Sequence, residues 1–481
     1  MLSWNDILVL LPEIYLVAAV CVLLLMDAFI KPDQRNATHW LAIIVTVVTG
    51  WLVVSGQPAV PVTAFDGMFV RDRAAEILQL FALLSVFLVF VYSRPYLKDR
   101  NLWHGEFYVL TLFAVLGVMF LVSAGSLVTV YLGLELLTLS SYALVAFNRD
   151  SRVSSEAAIK YFVLGALASG SLLYGMSMVY GATGTLDLAQ LHAAALHADM
   201  PNLLRFGLIF MIVGIAFKLG AAPFHMWLPD VYEGAPTATV TFIASASKLA
   251  AFGMAYRLLS AFGPGGPILH QWQLMFAVLA VLSLVIGNLV AIVQTNLKRM
   301  LAYSTIAHMG YLLLGLVNAT PAGYAAALFY AISYALMSTV AFGVILAMAR
   351  AGFECDNIDD FKGLNQRSPW MAFLMMLAMV SLAGVPPLFG FFAKYLILKA
   401  AIDAGMMWLA IVAAIAAIVG LYYYLRVVKV MYFDAPVEGQ ELKPQPDLPL
   451  RWVLSINALA LLVLSVYWGP LLGWCQMAFA G

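Results

Sequence analysis

Stretches of roughly twenty apolar residues recur along this 481-residue chain, and no other feature narrows its fold as much. Hydrocarbon offers no partner to a backbone N–H or C=O, so a single crossing segment has to be a helix, which needs roughly 20 residues to span. By that rule spans fall near 7–30, 38–56, 74–95, 105–123, 126–147, 156–181, 203–228, 238–262, 273–295, 300–317, 322–350, 369–401, 406–432 and 451–473. The expected fold is all-α, a polytopic membrane protein of about fourteen transmembrane helices. Composition agrees: 64% of residues are hydrophobic and 10% charged, against about 25% charged in a soluble domain. The sizeable polar connections, near 182–202, 351–368 and 433–450, leave no room for a soluble domain.

Several function classes drop out. The formal net charge is zero, so nothing points to nucleic acid. Cys21, Cys355 and Cys475 lie far apart, without disulfide, zinc or iron–sulfur spacing. The opening "MLSWNDILVLLPE" has no basic n-region and no small-residue cleavage site, so the first span is expected to be retained. Orientation follows from loop cations. Connections after odd-numbered spans hold Lys31, Arg35, Arg94, Lys98, Arg100, Arg149, Arg152, Lys298, Arg299, Arg350, Lys362, Arg367, Lys443 and Arg451; those after even-numbered spans hold little beyond Arg71, Arg73, Arg205 and Arg257. Odd connections are therefore expected in the cytoplasm, with both termini on the opposite, periplasmic side.

Two spans read as broken helices. In "FKLGAAPFHMWLPD" Pro223 follows Lys218, and in "SLAGVPPLFGFFAKYLILK" Pro386 precedes Lys394. These are spans seven and twelve, five apart. An odd shift reverses membrane direction, so spans 4–8 (105–262) and 9–13 (273–432) are expected to form an inverted repeat, between spans 1–3 (1–104) and a loop with span 14 (433–481). Interrupted helices in corresponding positions point to a transport site, because open backbone at that depth has to face protein or water.

The ionisable residues inside the spans carry the chemistry. Glu135 lies near the middle of span five, Lys218 in broken span seven, Lys248 about ten residues into span eight, and Lys394 beyond the break in span twelve. Plain structural ion pairing fits Glu135 with one lysine and leaves two lysines over. Proton transfer fits all four. Burial lowers a lysine's proton affinity and a nearby carboxylate restores it, so a Glu135–Lys218 pair that opens and closes would switch an amine between holding and releasing a proton. Ser140, Ser141, Ser245, Ser247, Thr305 and water would fill gaps in such a relay. Lys160, four residues after Glu156, reads equally well as a local helix-face pair. His225 and His308 read equally well as hydrogen-bonded packing, and an unbroken helix would put His225 on the Lys218 face. Glu13, Glu76, Glu106, Asp403, Arg426 and Lys429 fall near span ends and are expected to snorkel, pair or meet another subunit. Methionines and aromatics at helical spacing are read as packing.

At these residues the sequence resembles the antiporter-like membrane subunits of respiratory complex I, over essentially its whole length. The carrying motifs are "LGLELLTLSSYALVAF", "SSEAAIKYFVLGALASGSLLYG", "FKLGAAPFHMWLPDVYEGAPT", "NLKRMLAYSTIAHMGY" and "GVPPLFGFFAKYLIL". The broken-helix block is shared with the large subunits of cation/proton antiporter complexes. Lys394 separates this chain from the M-type subunits, which would carry glutamate there. The resemblance implies a proton path of Glu135, Lys218, Lys248 and Lys394, with Lys160, His225 and His308 as accessory members. It implies no cofactor in this chain: NADH, FMN and iron–sulfur clusters would belong to partner subunits, and the quinone to the complex. The partners implied are an adjacent antiporter-like subunit, small membrane subunits and the lipid of a bacterial inner membrane. A cation/proton antiporter subunit and a passive scaffold are the competing readings.

Overall fold

The computed structural model describes residues 4–31, 34–56, 60–263, 268–436 and 444–480, so Lys443 lies outside the described residues. Among them, twelve helices are long and apolar enough to cross a membrane, from Leu11–Phe29 to Leu448–Val466. Two shorter apolar helices, Glu106–Val122 and Pro369–Ala383, fall within two further expected spans. The chain is an all-α polytopic membrane protein.

Hydropathy alone does not order these helices, since lipid-facing and buried ones are equally apolar. Burial does. The helices Pro321–Met348 and Thr237–Ser260 are enclosed over their apolar windows and Leu297–Val317 nearly so, whereas Leu11–Phe29 and Leu448–Val466 show most of their surface outward. Polar side chains follow the same order: Thr237, Thr241, Ser245, Lys248, Thr305, His308 and Ser333 are buried at the centre. Helix starts are closed by Asp72, Ser126, Ser151, Asp187, Asn296, Thr320 and Asp447, each accepting from a first-turn backbone N–H. Gly117 and Gly133 let Glu106–Val122 and Leu127–Val145 touch backbone to backbone: a Cβ on either would meet main-chain atoms of the other within 2.7 Å. That contact fixes the helix carrying Glu135.

A short antiparallel hairpin, absent from the sequence reading, joins Val62–Ala64 to Phe69–Arg71. Phe65, Asp66 and Gly67 turn it at positive φ, and Val70 N–H donates to Ser123 O at 2.8 Å. It carries Arg71 inward, where the guanidinium donates to Val9 O and Val53 O. Glu13 and Glu76 consequently do not snorkel. Both are buried, Glu13 accepting from Gln79 Nε2 at 2.9 Å and Glu76 lying 3.7 Å from Arg71. Asp403 pairs with Lys399, Lys429 pairs with Asp434, and Arg426 donates to Ile292 O.

Among the described residues, three spans are interrupted near their middle, apart from the one-residue gap at Tyr467 between Leu448–Val466 and Trp468–Met477. Pro201–Leu219 ends at left-handed Gly220 and the chain resumes at Trp227–Gly234. Pro369–Ala383 ends at left-handed Gly384 and resumes at Phe389–Asp403. Gly220 has φ +78° and Gly384 φ +80°; a Cβ there would strike Leu228 and the Lys394 side chain respectively. Each turn is followed by a cis X–Pro bond, at Ala222–Pro223 and Pro386–Pro387. The third break has neither proline nor glycine: Thr237–Ala244 gives way to Ala246–Ser260 at Ser245 (φ −117°, ψ −86°).

Candidate functional site

A helix that stops inside a membrane leaves carbonyls without partners. Here two lysines take them. Lys248 Nζ donates to Leu219 O at 2.8 Å, and Lys394 Nζ donates to Ala383 O at 2.8 Å. Both carbonyls belong to the residue just before the left-handed glycine. Both ammonium groups also stand over an aromatic ring, Lys248 at 5.1 Å from Trp227 and Lys394 at 5.0 Å from Tyr311, a placement that attracts a cation. Lys248 reaches its break from the neighbouring span, while Lys394 folds back from the second half of its own. At the first break two further groups are matched: Trp227 Nε1 donates to Phe217 O, and Ala222 N–H to Ser283 Oγ.

Lys218 is different. It is 2% exposed and its Nζ has no hydrogen-bond partner among the described residues. Glu135, half-buried, lies within electrostatic reach but not in ion-pair contact, and its Oε1 is also without a partner. The Glu135–Lys218 pair is therefore open in this structure. Lys218 and Lys248 are close enough for their charges to interact.

His308 sits between the two breaks. Its Nδ1 meets Tyr330 Oη at 2.7 Å and its Nε2 meets Tyr424 Oη at 2.9 Å. Tyr424 also bonds Ser304, and Thr305 bonds Tyr334 at 2.7 Å. A neutral imidazole donates at one nitrogen and accepts at the other. The Tyr330–His308–Tyr424 string is thus a directional hydrogen-bond chain, and reversing it is equivalent to passing one proton. Tyr311 stacks on Tyr330, which brings the network to Lys394.

Of the accessory residues, Lys160 is 45% exposed, 3.0 Å from Glu156 and 2.8 Å from Asp230, which also pairs with Arg299. Its expected local pair exists, extended to a second helix. His225 lies in the irregular stretch after Gly220, so the helical phase that would align it with Lys218 is lost; its Nδ1 has no hydrogen-bond partner among the described residues. The sequence reading missed the tyrosines. Tyr330, Tyr334 and Tyr424 pack, but their hydroxyls are hydrogen-bonded in the buried centre, where an apolar role needs no hydroxyl. Tyr330 and Tyr334, four apart in a span without charge, were the available signal.

A family described as NADH:quinone oxidoreductase/Mrp antiporter, TM, matches residues 124–420. A "NADH-quinone oxidoreductase subunit N" from Xanthomonas euvesicatoria pv. vesicatoria is 55% identical over 480 residues, covering 100% of this chain and 98% of the relative. One from Acidithiobacillus ferrooxidans is 53% identical, covering 98% and 97%. A chain of respiratory complex I from Thermus thermophilus with bound aureothin superimposes with a TM-score of 0.82 at 32% identity, covering 96% of this chain and 98% of that one.

Proposed function

Because the chain belongs to the antiporter-like membrane subunits shared by NADH:quinone oxidoreductases and Mrp antiporters, within the NADH-quinone oxidoreductase subunit N family, we propose that it moves protons across the membrane as part of such an oxidoreductase. The observation that carries this reading is the pair of helix breaks, each with its freed carbonyl held by a lysine amine, on either side of the His308–tyrosine network. Glu135, Lys218, Lys248 and Lys394 transfer the protons. Lys160 is a peripheral member, and His225, in the irregular stretch of the first break, is an accessory one. The chain contributes no redox step of its own; flavin, iron–sulfur and quinone chemistry belong to partner subunits of the complex.

Joining the broken halves gives fourteen spans, and spans 4–8 and 9–13 form the inverted repeat that places the two breaks at matching positions. The loop cations put Arg149 and Lys362 in the bacterial cytoplasm and both termini in the periplasm. His197, exposed at the end of Leu188–Leu196, gives a direct check. A His197→Cys protein in intact cells should react with a membrane-impermeant maleimide from outside; reaction from the cytoplasmic face of inverted vesicles alone reverses the orientation. The function is tested by mild purification from native membranes. Flavin and iron–sulfur subunits should co-purify with the chain, and NADH oxidation in proteoliposomes should drive proton movement. Co-purification with antiporter subunits alone, without a redox group, favours the cation/proton antiporter reading.

A further inference from the structure

Lys298 was expected as a cytoplasmic loop cation, yet it is 2% exposed. It begins the Leu297–Val317 helix and sits beneath the connection between Trp227–Gly234 and Thr237–Ala244, where its Nζ donates to Ala235 O at a long 3.4 Å. One weak carbonyl bond does not offset the loss of water around an ammonium. What surrounds it is charge: Glu354, Asp356, Glu233 and Arg100 all lie within electrostatic reach. Glu354 and Glu233 both meet solvent, each with its side chain 39% exposed. Glu233 is tied outward to Arg299, whereas Glu354 is bonded to Tyr96 and Thr237 on the inner side. Its carboxylate accepts from Arg100 Nε at 2.7 Å, from Tyr96 Oη at 3.1 Å and from Thr237 Oγ1 at 3.4 Å.

From this mouth a buried polar file leads inward. Lys298 and Thr305 are seven residues apart on one helix, hence on one face and separated by about 10 Å. On the facing helix, Tyr232 is three residues before Ala235. Its hydroxyl is buried and turned toward Thr305 and Tyr334 without completing a hydrogen bond in this structure. Thr305 and Tyr334 are bonded to each other, and the Tyr334 ring lies 5.0 Å from that of His308.

We propose that Glu354 and Lys298 form the loading port through which protons from the loop-cation side reach His308, along a file made by Tyr232, Tyr334 and Thr305. The inference rests on the reading of the chain as a proton translocator and adds the point of entry. A proton taken by Glu354 passes to the Lys298 amine, leaving carboxylate and ammonium. The ammonium gives one proton to the file and returns to amine. Each hydroxyl then accepts a proton at oxygen as it releases its own to the next. His308 takes the last one at the ring nitrogen that accepts from Tyr330 or Tyr424, through that tyrosine's hydroxyl. Two links are open, Tyr232 to Thr305 and Tyr334 to His308, and a small movement at either makes or breaks the file.

The test uses the whole complex in proteoliposomes, with subunit content checked and the initial rate of NADH-driven proton movement read by a pH-sensitive dye. Lys298→Gln should lower that rate on the order of 100-fold, the low end of what a positioned proton-transfer group contributes. Lys298→Arg should fail similarly although it keeps the cation, because a guanidinium hardly releases its proton. An assembled Lys298→Arg complex pumping at the full rate overturns the port and leaves Lys298 a structural cation. If the Lys298 variants do not assemble, Tyr232→Phe decides. It deletes one hydroxyl without changing the ring, so about a tenfold loss is expected, and an unchanged rate overturns the file. Lys218→Met, run alongside, separates the two levels: normal pumping there undermines the translocation reading itself, whereas loss there with full pumping by Lys298→Arg undermines the port alone.

Discussion

A complex carrying Lys218→Met should assemble at least as well as the unaltered one and pump no protons. The two halves of that expectation come from the same atom. Lys218 Nζ is buried and holds no hydrogen bond among the described residues, and Glu135 is not in contact with it. Removing an ammonium-sized charge from water costs several kcal/mol, which an isolated amine does not recover. Methionine is also unbranched and fills irregular apolar space well. Packing is therefore kept and the desolvation cost disappears, so the melting temperature of the purified complex should hold or rise. Function should move the other way. Moving a proton against 100 mV requires about 2.3 kcal/mol, so each station has to hold and release a proton under control, and a thioether does neither. Glu135→Gln should behave alike, since it leaves the helix contact at Gly117 and Gly133 untouched. Proton movement and the melting curve are measured on the same preparation. Full pumping by an assembled Lys218→Met complex removes Lys218 from the path and undermines the translocation reading that rests on it.

The amino-acid pattern shows the class of this fold and the position of two breaks, for identifiable reasons. Roughly twenty apolar residues in lipid leave helix as the only choice, and Gly220, Pro223, Gly384 and Pro386 are the residue types that stop one. The break at Ser245 carries no such residue. It arises where Thr241 and Ser245 hydroxyls turn back onto carbonyls four residues earlier and Ser338 from another helix takes Ala244 O, a contact that no local pattern announces. The lysines and Glu135 stand out because charge is rare in a span. Their partners do not, because Leu219 O and Ala383 O are backbone atoms available in any sequence. Tyr330 and Tyr424 look like packing until the fold brings them to the two nitrogens of one imidazole. Lys298 and Glu13 mislead in the opposite sense: each is near a span end yet buried, whereas Glu76 pairs, with Arg71 and Arg73, as one of its expected outcomes.

Lys248→Met and Lys394→Met should abolish pumping as Lys218→Met does, and unlike it they should also destabilise. Each amine closes a carbonyl that its helix break leaves open, Leu219 O or Ala383 O. An unpaired buried carbonyl costs about 1–3 kcal/mol, and the lost contact with Trp227 or Tyr311 adds about 0.5–2 kcal/mol. Relief of ammonium desolvation offsets part of this, so the melting temperature should fall relative to Lys218→Met rather than by the full sum. Arginine separates the two roles of the amine. It keeps the cation, a donor for the carbonyl and the attraction to the ring, so Lys248→Arg and Lys394→Arg should recover stability relative to methionine. Gly220 beside Lys248 and Gly384 beside Lys394 leave little spare room, so the recovery should be partial. Pumping should not recover at all, because a group with a pKa above about 12 does not give up its proton at working pH. Assembly and proton movement by the Lys248→Arg, Lys394→Arg double variant are the decisive pair of measurements. A complex that assembles and pumps at the full rate with both substitutions shows that these lysines pin the broken helices and relay nothing. The passive scaffold would then be the better description of this chain.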